Sequence, residues 1–167
     1  MSLPIDLLEQ ARHLTSLDRR RPKQANLRRA ISSAYYALFH LLVAESSNRM
    51  SPNGPSDLSR RIARSFGHAE MRQVCRSISE GHPSLPLREL QPGGFSPEIV
   101  LVAESFANLQ DERHRADYDL SAIYTRVESI DLVDVAESAF RAWKRVRERE
   151  EANIFLAALL FTNRWSK

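Results

Sequence analysis

The sequence has little cysteine and no long apolar run. Cys75 is the only cysteine among 167 residues, which excludes an intramolecular disulfide and a cysteine-rich zinc site and favours a reducing compartment. The longest apolar run, Ile154–Phe161, is far shorter than the roughly 20 residues that a membrane-spanning helix needs. The N-terminus also lacks the basic-then-apolar pattern of a signal peptide. We therefore expect a cytoplasmic protein without a membrane segment.

Glycine and proline, which disrupt helix interiors, are few and clustered. The five glycines and eight prolines leave residues 23–51 and 98–167 free of both. No segment alternates between apolar and polar residues as a half-buried strand would. This distribution predicts an all-α fold, an up-and-down bundle of five to six helices in a single domain. Its core is expected over about residues 5–145, with residues 146–167 as a C-terminal helix extension.

The expected helix boundaries follow from caps and breaks. Ser96-Pro97-Glu98 combines a capping hydroxyl, a proline suited to the first turn and an acidic residue that complements the helix dipole. The β-branched and aromatic residues at 123–125 weaken helix propensity, so Ser129 and Asp131 offer a new start. The expected helices span about residues 5–18, 24–45, 57–66, 68–79, 97–119 and 129–163, with a loop over 81–97.

The second of these helices carries two stripes of different chemistry. Its apolar stripe recurs in three- and four-residue steps, as in a buried seam. The members of this seam are Leu27, Ile31, Ala34, Leu38 and Leu41. The polar stripe beside it consists of Arg29, Ser33, Tyr36 and His40. Two interpretations stay open: the polar stripe lines a binding groove, or Tyr36 and His40 cover the rim of the core with satisfied hydrogen bonds.

A single arginine, Arg113, interrupts the apolar seam of the fourth major helix. The apolar residues that share its three-four rhythm are Ile99, Val102, Phe106, Leu109, Ala116 and Leu120. A guanidinium on a buried seam is costly unless it is paired. Asp117, one turn later, and Glu45, on the facing helix, are candidate partners. Arg113 therefore belongs either to an internal ion pair that fixes the register of the bundle or to a crevice for an anionic ligand.

Two segments, taken together, resemble the HEPN superfamily and most closely its small stand-alone branch. Residues 27–40 contain the run Ser-Ala-Tyr-Tyr-Ala, and residues 113–118 read Arg-His-Arg-Ala-Asp-Tyr. The resemblance covers about residues 5–145. It implies a HEPN-like helical bundle that forms a homodimer, with the arginine-bearing helices meeting near a shared cleft.

The resemblance also implies a class of activity. Many HEPN proteins are metal-independent endoribonucleases, often toxins whose partner is a minimal nucleotidyltransferase antitoxin, and others bind RNA or nucleotides without cleaving them. The nuclease motif of the family is an arginine, a polar residue and, after a short gap, a histidine. Arg113 and His114 match its first two positions, whereas Tyr118, Asp119 or Leu120 stands where the histidine is expected. The motif is therefore degenerate.

The candidate site residues follow from this match. For RNA cleavage, Arg113 would stabilise the charge of the pentavalent phosphate, while Tyr118 or His40 would move the proton. The candidate ligand-binding residues are Arg29, Tyr36, His114 and Asp117, of which Asp117 would orient Arg113. The sequence thus predicts an RNA- or nucleotide-binding protein of a toxin–antitoxin or stress-defence system. Two alternatives stay open: an active ribonuclease with a rearranged site, and a non-enzymatic dimerising protein-interaction module.

Arginine accounts for 21 of the 24 basic residues, and the sequence pI is about 9.3 although the net charge is only +3. Because the guanidinium fork suits phosphate, this composition favours nucleic acid. The alternative is that the arginines reflect the codon usage of a GC-rich genome, while the 21 acidic residues neutralise most of the positive field. The clusters at residues 19–21 and 60–64 either bind phosphates or are solvated helix faces. The histidines show no metal-ligand spacing, and no glycine loop suited to phosphate is present, so we expect no metal and no other cofactor.

The apolar segment Ile154–Phe161 follows a charged stretch at residues 144–153. A charged middle followed by an apolar end is typical of a helix that leaves its own bundle for another surface, either a second copy or an antitoxin. The alternative is that this end folds back over Leu7, Leu8 and Leu14 of the first helix.

Overall fold

The computed structural model describes residues 2–18 and 20–165, and all the regular secondary structure within them is helical. The all-α prediction is confirmed, although this part of the chain forms eight helices rather than five or six. The helices are α1 (Leu3–Ser16), α2 (Gln24–Met50), α3 (Ser56–Arg64), α4 (His68–Ser79), α5 (Leu85–Leu90), α6 (Pro97–Tyr118), α7 (Arg126–Val146) and α8 (Glu150–Trp165). Arg19 of the first basic cluster lies outside the described residues.

Two of the eight helices were not expected. The short helix α5 lies inside the predicted loop and carries Pro86 in its first turn, where the missing backbone N–H costs no hydrogen bond. The expected long C-terminal helix is interrupted by turns at residues 147–149, which separate α7 from α8. That break has neither glycine nor proline, so composition gave no sign of it.

Helix α7 begins three residues earlier than Ser129, the predicted start. Thr125 and Glu128 form a capping box: the Thr125 hydroxyl accepts from the Glu128 backbone N–H, and the Glu128 carboxylate accepts from the Thr125 backbone N–H. This reciprocal pair satisfies two backbone donors that a helix start leaves open. Ser129 is buried in the first turn, where its hydroxyl bonds the Thr125 carbonyl.

Helices α1, α2, α6 and α7 form an antiparallel bundle with α2 at its centre. Arg28, near the start of α2, donates to the Ala116 carbonyl near the end of α6, and Arg126, at the start of α7, donates to the Thr15 carbonyl near the end of α1. Helix α3 packs on α2, and α4 packs between α6 and α8. The largest fully buried side chains include Trp143, Tyr35, Phe106 and Phe155.

The predicted seams are confirmed in their central parts. Leu27, Ile31, Ala34 and Leu38 are buried, whereas Leu41 is only partly buried and the neighbouring Leu42 takes its place in the core. On α6, Leu120 is 93% exposed because the helix ends at Tyr118 and the chain turns away.

Helix α8 packs into the same core as the rest of the bundle. Phe155, Leu156 and Leu159 are buried, and the main neighbours of α8 are α4, α2 and α5. The prediction that this segment leaves its own bundle is therefore wrong. The alternative, that it folds back, is correct in direction but not in partner, since α8 lies chiefly on α4 rather than on α1. No helix within the described residues is long and apolar enough to cross a membrane.

Candidate functional site

Arg113 is held at two points near the end of α6. Its Nη2 donates a hydrogen bond of 2.6 Å to the Tyr36 hydroxyl on α2. Its Nε lies 2.8 Å from Asp117 Oδ2, an ion pair in which the N–H is not aligned for a hydrogen bond. The Ser32 hydroxyl donates to the other carboxylate oxygen of Asp117 at 2.5 Å. The side chain of Arg113 is 19% exposed, so the guanidinium lies at the boundary between core and solvent.

The partner of Arg113 is Asp117, one of the two candidates that the sequence offers. Glu45 is not a partner, because it pairs with Arg147 at 3.2 Å and with Arg49 on its own helix. The antiparallel packing of α2 and α6 explains this outcome. The end of α6 lies beside the first half of α2, whereas Glu45 lies about 13 Å further along the helix than Tyr36.

Three tyrosine rings surround the Arg113 guanidinium. Its Cζ lies 5.9 Å from the ring centroid of Tyr35, 5.3 Å from that of Tyr36 and 5.6 Å from that of Tyr118, distances suited to cation–π attraction. Tyr35 is buried, whereas Tyr118 is 64% exposed. Burial lowers the pKa of Arg113, but Tyr36, Asp117 and Tyr118 outweigh burial and leave that pKa raised. The positive charge is therefore permanent.

Two imidazoles flank the Tyr36 ring. His68, the first residue of α4, lies with its ring centroid 6.2 Å from that of Tyr36 and shares a 2.6 Å hydrogen bond with the Tyr35 hydroxyl through Nδ1. His40 stacks on Tyr36 at 6.2 Å with the ring planes 30° apart. Burial lowers the pKa of both histidines, and the charge of Arg113 lowers that of His68 further. Both imidazoles are therefore predominantly neutral at pH 7.

The structure brings four of the candidate residues together: Tyr36, Arg113, Asp117 and Tyr118. His40 adjoins them through its contact with Tyr36. We refer to this group, with the residues that complete it, as the Arg113 cluster. Its members are Ser32, Tyr35, Tyr36, His40, His68, Arg113, Asp117 and Tyr118.

The remaining candidates lie at the edge of the cluster or outside it. His114 is exposed, and its ring lies 5.0 Å from that of Tyr118. Arg29 is exposed and takes no part in these contacts. Its neighbour Arg28 instead donates hydrogen bonds of 2.9 Å to the carbonyls of Ala116 and Asp119, so it fixes the end of α6 that carries the cluster.

Sequence reasoning missed three members of the cluster. Ser33 was expected on the polar stripe, but its hydroxyl faces α1 and bonds Gln10 at 3.1 Å. A strict four-residue step back from Tyr36 identifies Ser32 instead, and this spacing was a usable signal. Tyr35 stood beside Tyr36 in the motif. His68 gave no local signal, since only the packing of α4 brings it to α2.

The cluster combines three chemical functions. The fixed guanidinium suits an anion, the exposed Tyr118 ring suits a flat apolar group, and the neutral imidazoles can accept protons. In the described part of the chain, no set of three or more His, Cys, Asp or Glu side chains is arranged to hold a metal ion. Comparison with known proteins finds no match: no family model, curated protein or solved structure is significantly similar to this chain. The fold and site define an all-α bundle with an arginine held among tyrosines.

Proposed function

We propose that this chain is a HEPN-like protein that binds RNA or a nucleotide through the Arg113 cluster. The observation that carries the proposal is the Arg113 guanidinium, fixed by Tyr36 and Asp117 at the edge of solvent. An arginine oriented in this way presents its remaining N–H donors as a fork, and a phosphate oxygen pair matches that fork.

The neighbouring ring favours a nucleotide over a free inorganic anion. Tyr118 is exposed, lies beside Arg113 and contacts the His114 ring. Unpaired bases stack on tyrosine and histidine rings, and each stacked base contributes about 1–3 kcal/mol. A phosphate on Arg113 and a base on Tyr118 would therefore bind together.

The proposed setting is a cytoplasmic toxin–antitoxin or stress-defence system in which two copies pair through the ends of α6. Four apolar side chains around that end are exposed: Tyr118, Leu120, Ile123 and Val127. A second copy covering them would bring two Arg113 side chains to one cleft, and a nucleotidyltransferase-type antitoxin would then close the cleft. Glutamate at Leu120 and Ile123 should halve the mass measured by light scattering if this pairing is correct.

RNA cleavage is a second candidate function, and the two neutral imidazoles favour it. His68 or His40 would take the proton of a ribose 2′-hydroxyl as that oxygen attacks the adjacent phosphorus, while Arg113 stabilises the pentavalent charge. The bond to the 5′-oxygen would break, and that oxygen would receive the proton that the imidazole took from the 2′-hydroxyl, leaving a 2′,3′-cyclic phosphate and a 5′-hydroxyl. His68 or His40 would thus take the role of the histidine that the degenerate motif lacks.

The test is fluorescence anisotropy with a labelled single-stranded RNA of mixed sequence in EDTA, at about 50 and 200 mM salt. Arg113→Ala should weaken binding by about tenfold or more, and Arg113→Lys should recover only part of the loss because it lacks the fork. Arg88→Ala, which removes one exposed charge from α5, is the matched control and should leave affinity nearly unchanged.

A denaturing gel of the same RNA samples distinguishes binding from cleavage. Products that disappear in Arg113→Ala and in either His68→Ala or His40→Ala would establish a ribonuclease. Binding without products would establish a binding protein, and binding unaffected by Arg113→Ala would remove Arg113 from the site. Absence of both binding and cleavage would favour the protein-interaction alternative, with Arg113 only joining the helices.

A further inference from the structure

A chain of contacts leads from the Arg113 cluster along α2 to α3. Tyr36, which bonds Arg113, stacks on His40. His40 also lines a cavity of about 290 Å³ where α1, α2 and α3 meet, and Arg60 of α3 lines the same cavity. Arg60 in addition lines a separate depression of about 520 Å³ on α3. His40, a member of the Arg113 cluster, and Arg60 of α3 therefore connect the cluster with α3 through the cavity that both line.

The depression on α3 carries uncompensated positive charge. It is lined by three arginines, Arg60, Arg61 and Arg64, and by a single carboxylate, Asp57. Arg60 forms an ion pair with Asp57. In the described part of the chain, neither Arg61 nor Arg64 pairs with a carboxylate, and α3 buries none of its residues. These guanidiniums are thus not required for packing, and the field they create attracts an anion.

The cavity between the cluster and α3 has a different character. Its lining is mostly apolar and includes Val43, Ala44 and Ala63. Ser47 also lines it, and the Ser47 hydroxyl has no hydrogen-bond partner among the described residues. Its volume of about 290 Å³ lies just below the roughly 300–1,000 Å³ found for small-molecule sites, so it would hold one ring system rather than a larger ligand. An apolar space of this size suits a flat heterocycle better than a phosphate.

A larger cavity elsewhere also contains an arginine, but its charge is already paired. The cavity of about 550 Å³ between α1 and α7 also contains an arginine, Arg12. There, however, Asp134 and Glu137 both pair with the guanidinium. Its charge is already neutralised, so this cavity offers nothing to an anionic ligand, in contrast with Arg61 and Arg64.

We propose that single-stranded RNA runs from the Arg113 cluster along α2, seats a base in the apolar cavity and places its following phosphates on Arg61 and Arg64. This inference rests on the proposed function and names its substrate class. Alternation of aromatic or apolar surfaces with guanidiniums is the arrangement that binds single strands. A duplex could not offer a free base to the cavity. The helix from Tyr36 to Ser47 is about 16 Å long, so the path exceeds one nucleotide.

The experiment compares short and long RNA. Anisotropy is measured with a labelled uridine trinucleotide and a labelled uridine decanucleotide at several salt concentrations, on the 167-residue chain. Arg61→Ala/Arg64→Ala should weaken decanucleotide binding by about tenfold and lower its salt slope by about 1.4, since each phosphate contact to a single strand contributes about 0.7, while trinucleotide binding stays unchanged. Arg113→Ala should weaken both. Arg88→Ala/Lys144→Ala removes the same charge from other exposed positions and should change neither.

A second pair of variants tests the cavity itself. Ala44 is an exposed helix residue that lines it, so the fold tolerates a longer side chain there. Ala44→Glu and Ala44→Gln are matched in size, but only the first adds a negative charge on the path. Ala44→Glu should bind the decanucleotide several-fold more weakly than Ala44→Gln, and the difference should shrink as salt screens the charge.

The outcomes separate the path from the proposed function. If decanucleotide binding is weakened by Arg113→Ala but not by Arg61→Ala/Arg64→Ala, the path is overturned and the proposed function stands. If decanucleotide binding is weakened by Arg61→Ala/Arg64→Ala but not by Arg113→Ala, the continuous path is overturned in favour of an isolated anion-binding surface on α3. Equal affinity for duplex RNA overturns the single-strand specificity. No binding of either length overturns the path and the binding of RNA by the Arg113 cluster, and leaves a free nucleotide or a protein as the partner.

Discussion

The hydroxyl oxygen of Tyr36 lies 2.6 Å from Nη2 of Arg113, although 77 positions separate the two residues in the chain. This hydrogen bond joins the centre of α2 to the end of α6 and orients the guanidinium at the same time. Asp117 pairs with the same guanidinium, and the Ser32 hydroxyl donates to Asp117. A half-buried guanidinium that loses such an acceptor has no equivalent replacement in the core, so we expect the stability, and the proposed RNA binding, to depend on this phenol.

Tyr36→Phe keeps the ring but removes the acceptor of Arg113. We expect the free energy of unfolding to fall by about 1–2 kcal/mol, because one N–H of a charged group is left without its partner. Urea denaturation at pH 7, followed by circular dichroism, measures this change. RNA affinity should fall as well, since Arg113 would be free to take other rotamers.

Tyr118→Phe is the matched control. Tyr118 also lies beside the guanidinium, but its ring is mostly exposed and its contact with Arg113 is through the ring. Its stability should stay within about 0.5 kcal/mol of the wild-type value. Equal losses in the two variants would show that ring packing, rather than the hydrogen bond, stabilises this region.

Arg28→Ala should destabilise the end of α6, whereas Arg29→Ala should not. Arg28 donates to the carbonyls of Ala116 and Asp119, and a cation there also complements the negative end of the helix dipole. Loss of these charge-assisted bonds should cost about 1.5–3 kcal/mol. Arg29 is exposed, and its removal should change stability by less than about 0.5 kcal/mol.

Hydrogen exchange provides a second measurement for this pair. Backbone amides near residues 116–122 should exchange faster in Arg28→Ala than in the wild type, because the last turn of α6 would fray. Amides in α8 should be unaffected unless the whole protein is destabilised. Similar exchange in both arginine variants would mean that the carbonyls are satisfied by water instead.

The sequence predicted the parts of this molecule that depend on local pattern. The seam around Leu38 and the capped start at Ser96 follow from three-four spacing and cap chemistry, and both are present. The pairing of Arg113 with Asp117 also follows from helix spacing. His68 could not be found in this way, because its place beside Tyr35 depends on how α4 packs against the bundle.

Protonation of His68 should make the stability depend on pH. Burial lowers the pKa of this imidazole below its usual 6.5, and Arg113 and His40 lower it further, while Glu70 acts weakly in the opposite direction. Below pH 6.5 the unfolded chain therefore binds more protons at this position than the folded protein. The free energy of unfolding should fall as the pH drops through the window just below 6.5.

Urea denaturation between about pH 5 and pH 7.5 measures this dependence. His68→Gln should reduce the slope without removing it, because the lowered pKa of His40 contributes in the same direction. The slope with pH is the informative quantity, because the substitution also alters the hydrogen bond to Tyr35. His82→Gln, at an exposed position after α4, should keep the wild-type slope. A slope unchanged in His68→Gln would assign the pH dependence to other groups.

Phe155→Ala should destabilise the whole bundle, since this ring is fully buried and lies 6.3 Å from Trp143 between ring centroids. The cavity left behind should cost about 3–5 kcal/mol, measured by urea denaturation. Phe161→Ala, at a partly exposed position on the same helix, should cost clearly less. If α8 instead served only to join two copies, Phe155→Ala would lower the mass measured by light scattering and leave the monomer as stable as before. We expect the urea transition of Phe155→Ala to become less cooperative as well as less stable. The reason is that α8 packs on α4, and α4 carries His68 of the Arg113 cluster.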